Sequence, residues 1–72
     1  MPKLPKSKEV ERVLKKLGFR SVRQSGSHAI FKNSSGIRTT LPIHGRKTIS
    51  PGVFFSILKD LEISEEDFWD VL

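Results

Sequence analysis

The sequence predicts an α+β fold, with two helices covering one face of a three-stranded antiparallel sheet in the order α–β–β–β–α and a short helix at the C-terminal end. Three observations carry this expectation. Apolar residues recur at helical spacing over 7–17 and again over 51–61. Between them, 28–32 and 37–43 alternate with the period of two that a half-buried strand needs. Short Gly- and Ser-containing stretches separate the segments, with no long linker. At 72 residues the chain is expected to form one domain, 1–72, with a thin core.

Residues 1–6 hold two prolines and two lysines and read as an extended lead-in. Ser7 is a candidate N-cap for the first helix, 7–17, in which Val10, Val13, Leu14 and Leu17 form one stripe. Glu9 suits the positive end of that helix, and Lys15 and Lys16 the negative end. Gly18 fits the left-handed residue after the helix, which lets Phe19 pack back on Leu14.

The first strand is expected over 19–24, although its alternation is loose, and "SGS" makes a turn. In the second strand, 28–32, Ala29 and Phe31 share one face, and His28, Ile30 and Lys32 the other. After the "NSSG" loop, the third strand, 37–43, turns Ile37, Thr39, Leu41 and Ile43 one way and Arg38, Thr40 and His44 the other. Ser50 followed by Pro51 is a helix start, and Phe54, Ile57, Leu58 and Leu61 make the second apolar stripe. Ser64 with Asp67 three residues on caps a last short helix that buries Phe68 and its neighbours. The aromatics read as packing rather than as base-stacking platforms, with Phe55 off the main stripe. The arrangement is double-stranded-RNA-binding-like, and one sheet face is left open.

Net charge is +5, unevenly spread. Residues 1–50 hold twelve Lys/Arg against Glu9 and Glu11, whereas 51–72 hold Lys59 against six acids. A basic body points to a polyanion partner, with a solvated face as the alternative. There is no cysteine, so disulfides, thiolate zinc and a cysteine nucleophile are excluded. Two histidines without clustered acids make no convincing metal site, and no phosphate-loop or dinucleotide motif is present. No apolar run approaches membrane-span length and the first residues lack a signal-peptide pattern, so a soluble cytoplasmic protein is expected.

The chemistry centres on His28 in "RQSGSHAIFK". An exposed strand histidine with no role is the bland reading. Against it, Gly26 permits a tight turn, Ser27 offers a hydroxyl, and Arg20, Arg23 and Lys32 bring charge that can hold a phosphate. Histidine can act as general base toward the 2′-hydroxyl of RNA and as general acid toward the leaving 5′-oxygen, with no metal or cofactor. Arg38 joins the open face, and Arg46 and Lys47 after the third strand look like phosphate contacts. His44 is open between a partner acid, a phosphate contact and a turn residue.

The chain resembles the HicA toxins of HicA–HicB toxin–antitoxin systems. The likeness rests on "KEVERVLKKLGFRSVRQSGSHAIFK" and "TTLPIHGRKTISPGVFFSILKDLEISEEDFWDVL". These hold a helix ending in Gly-Phe, an Arg-Gln-x-Gly-Ser-His turn, a Pro-x-His segment and a Pro-Gly helix start, in order over nearly the whole chain. The resemblance implies a small endoribonuclease that cleaves mRNA, of double-stranded-RNA-binding-like fold, masked by a HicB-type antitoxin. It implies His28 as the catalytic histidine, presented by Gly26 and Ser27. Ala29 stands where a larger side chain is common.

Overall fold

A computed structural model describes residues 3–43 and 45–72, and His44 lies outside them. The elements are α1 (Ser7–Lys16), β1 (Arg20–Ser25), β2 (His28–Lys32), β3 (Arg38–Pro42), α2 (Pro51–Leu61) and α3 (Glu65–Val71). The strands form one antiparallel sheet in the order β1–β2–β3. This is the expected α+β, double-stranded-RNA-binding-like arrangement.

The start of α1 differs from expectation. Lys6, not Ser7, is the N-cap, and its N–H donates to the Glu9 carboxylate at 2.9 Å. The cause is tertiary. Lys6 bridges to Thr48, and the Ile49 N–H donates to the Pro5 carbonyl at 2.8 Å. That pairing holds the lead-in extended, so Ser7 enters the first turn and is buried. The other end follows the expectation. Gly18 has φ +88°, its N–H donates to the Lys15 carbonyl, and the Phe19 N–H donates to the Leu14 carbonyl at 2.8 Å. Phe19 is thus part of the helix stop and not of β1, which runs one residue later, from Arg20 to Ser25. β3 is shorter than 37–43, because the Ile37 N–H donates to the Asn33 side chain and the Ile43 N–H to the Ser27 carbonyl.

The alternation of β2 and β3 sets the layers. Ala29, Phe31, Thr39 and Leu41 are buried beneath the helices, and His28, Lys32, Arg38 and Thr40 are exposed. Val10, Val13 and Leu14 from α1, with Phe54, Ile57, Leu58 and Leu61 from α2, fill the space above β2 and β3. Each such side chain contributes roughly 1.5–3 kcal/mol when fully buried. β1 extends beyond this cover, and all six of its residues are exposed.

Ser50 and Ser64 cap α2 and α3, accepting from the Val53 N–H at 3.4 Å and the Asp67 N–H at 3.0 Å. Phe68 of α3 is fully buried and meets Phe54 edge-on, with centroids 5.0 Å apart. The Lys16 ammonium donates to the main-chain oxygens of Val71 and Leu72, both at 3.0 Å, and ties α3 to α1. Thr39 donates to the Asp60 carboxylate at 3.0 Å, linking β3 to α2. Of the aromatics, only Phe55 stands half exposed, as its position off the stripe predicts. No described helix is long and apolar enough to cross a membrane.

Candidate active site

His28 opens β2, the central strand, directly after a two-residue hairpin loop of Gly26 and Ser27. Gly26 has φ +58°, a conformation that favours glycine at the first loop position. A Cβ there would meet nothing within 4 Å, so the backbone angle, not space, demands glycine. Two hydrogen bonds hold the turn from opposite sides. The Gln24 side-chain amide donates to the Gly26 carbonyl at 3.3 Å, and the Ile43 N–H donates to the Ser27 carbonyl at 2.6 Å. Since Ala29 is buried, alternation turns His28 outward onto the open face, where it is exposed.

Strand register sorts the open face into three transverse rows. Ser25, His28 and the buried Pro42 form the first, Arg23, Ile30 and Thr40 the second, and Arg20, Lys32 and Arg38 the third. Arg23 and Thr40 are therefore diagonal neighbours of His28, at the roughly 7–8 Å typical of such pairs. Arg20 and Arg23 are three residues apart and would point to opposite faces of a regular strand. A β-bulge at Val22 lies outside the pairing register and restarts the alternation, so both arginines reach the open face. This bulge is also why the alternation of β1 is hard to read from sequence.

The third row lies at one end of a shallow concavity of about 820 Å³, lined by Arg20, Lys32 and Arg38 with Gly18, Val22, Asn33 and Ser34. His28 is not in it. Arg46 and Lys47 are exposed in the segment after β3. Lys47 lines a smaller hollow with Pro42, Thr48, Ile49, Ser50 and Val53. Pro42 pairs with His28 in the strand register and is itself buried. The expected contacts thus separate. Arg23, Gly26 and Ser27 lie near His28, Lys47 lies in the hollow beside Pro42, and Arg20, Lys32 and Arg38 gather at the opposite end.

Charge on this face has one sign. No Asp or Glu occurs between Glu11 and Asp60, so all three strands and their connections are free of carboxylates. Sequence reasoning passed over Gln24 and Ile43 as holders of the turn, and Val22 as an apolar member of the open face. A polar residue two before Gly26 was the available signal for Gln24. The bond from Ile43 depends on strand pairing, which local pattern does not reveal.

Fold and site define a class: a small α+β domain that presents a histidine on a cationic, carboxylate-free sheet. The chain belongs to the family described as "HicA toxin of bacterial toxin-antitoxin", whose pattern matches residues 7–63. That span runs from the start of α1 past the end of α2 and leaves α3 outside. Among curated proteins no match was found.

Proposed function

We propose that this protein is an endoribonuclease toxin in which His28 is the general acid/base, acting on mRNA in the cytoplasm and neutralised by a HicB-type antitoxin. The observation that carries this reading is His28 itself, exposed on a carboxylate-free basic face in a chain of the HicA toxin family. RNA brings its own nucleophile. His28 takes the proton of the 2′-hydroxyl, the 2′-oxygen bonds to the adjacent phosphorus, and the bond from phosphorus to the 5′-oxygen breaks. The leaving 5′-oxygen takes a proton from the protonated imidazole or from water. Arg23, a diagonal neighbour of His28 in the strand register, and Lys47 stabilise the additional negative charge on phosphate in this reading. Gly26 and Ser27 hold the ring at the surface. No metal or cofactor enters this chemistry.

The test is cleavage of single-stranded RNA in EDTA by the purified protein and by His28→Ala. The expected outcome is a loss of about 10²–10⁴-fold in rate in the variant. Equal cleavage by the two proteins would remove His28 from the mechanism. Saturable binding without products from either would leave an RNA-binding module of the same fold.

A further inference from the structure

We infer that the row Arg20, Lys32 and Arg38 is a separate phosphate-binding subsite that anchors the RNA backbone a few nucleotides away from His28. The inference rests on the reading of His28 as the cleaving residue, and it specifies the substrate as an oligonucleotide rather than a single phosphodiester. Distance supplies the first argument. His28 and Lys32 lie on the same face of β2, four residues apart, which is about 13 Å at roughly 3.3 Å per residue. The spacing suits different phosphates of one strand at the two ends. At the roughly 3.4 Å rise of a stacked strand, that gap corresponds to about four nucleotides, and to fewer in an extended strand.

Electrostatic energy in the row points the same way. Register places three cations side by side across the sheet, with Lys32 between Arg20 and Arg38. Like charges directly opposite one another destabilise a strand pair, and the strands hold no carboxylate to offset them. An arrangement that is unfavourable for folding alone is favourable once an anion sits on it. Two arginines can bind phosphate oxygens bidentately while the lysine adds a point charge.

Shape supports the subsite as well. The row lines the larger concavity, which also offers Val22, 49% exposed, and the polar residues Asn33 and Ser34. Val22 is aimed there by the bulge, and apolar surface beside cations suits a ribose or base attached to the held phosphate. The far wall is preformed. The Asn33 carboxamide oxygen accepts from the Ser35 and Ile37 N–H groups at 3.1 and 2.8 Å, which fixes the loop between β2 and β3.

The test is a binding series in the His28→Ala protein, which keeps RNA intact. Fluorescence anisotropy at fixed low salt would follow oligoribonucleotides of two to ten residues. Affinity is expected to rise in a step as length passes about four nucleotides. Arg20→Gln/Lys32→Gln/Arg38→Gln should lose the step, and its salt slope should fall by roughly 0.7 for each phosphate that the variant no longer neutralises. Arg20→Lys/Arg38→Lys, which keeps the charge, should retain most of the step. Superimposable length series for parent and glutamine variant would overturn the subsite, as would a uniform loss at every length. Those outcomes leave the nuclease reading standing, because wild-type cleavage is measured separately. Conversely, a step in binding without wild-type cleavage would retain the subsite and discard the nuclease.

Discussion

The sheet and the helical layer of this protein differ in where carboxylates lie. The three strands carry Arg20, Arg23, Lys32 and Arg38 and no carboxylate, whereas the acids lie in the helices or, like Glu62, beside them. The two layers also divide burial. The sheet turns a polar, exposed face outward, and the helices hold most of the fully buried side chains. The open face is therefore expected to govern ligand chemistry with little effect on stability, and the helical layer the reverse.

Predictions that break this division run from large to small. His28→Ala lies on the exposed face, so its loss of about 10²–10⁴ in cleavage should come with an unfolding midpoint close to wild type. A large drop in that midpoint, followed by circular dichroism, would show that the face also supports the fold. Phe54→Ala should do the opposite. It empties the centre of the α2–α3 contact and is expected to cost about 3–5 kcal/mol, a large part of the stability of a domain this small. Denaturant titration reads the effect directly.

Gly26→Val tests the boundary between the layers. A β-branched residue at φ +58° is strained by about 1–3 kcal/mol. Relief of that strain would shift the turn, so cleavage and stability should fall together. Thr39→Val should have the smallest effect, about 1 kcal/mol or less. It removes the hydrogen bond to Asp60, but Asp60 is exposed and can regain water. A loss well above that value in thermal unfolding would mean that the link between β3 and α2 is stronger than one hydrogen bond.

The elements that sequence revealed best are those fixed by local chemistry. Gly18 as the helix stop, Ser50 and Ser64 as caps, and the α2 stripe of Phe54, Ile57, Leu58 and Leu61 all appear as expected. The inward and outward faces of β2 and β3 were legible because burial enforces alternation there. The failures have the opposite cause. Lys6 displaces Ser7 as cap because a bridge to Thr48, far along the chain, sets the backbone of the lead-in. β1 was hard to read because no helix covers it, so burial imposes no pattern, and the bulge at Val22 then breaks the remaining period. The sequence grouped Arg20, Lys32 and Arg38 with His28, whereas strand register sets them apart from it. That separation follows from register alone.

The row of three cations has a thermodynamic consequence that reaches beyond the site. Repulsion across Arg20, Lys32 and Arg38 is stored in the folded state, and dissolved salt screens it, with a Debye length of about 8 Å at physiological ionic strength. Added salt should therefore stabilise the free protein. A bound polyanion relieves the same repulsion and stabilises the fold by mass action, by about 2.7 kcal/mol at a hundredfold excess over its dissociation constant. Salt weakens that binding, so the bound form should lose stability as ionic strength rises. Free and RNA-bound protein are then expected to melt with opposite salt dependence, and their two melting curves should converge as the salt concentration is raised.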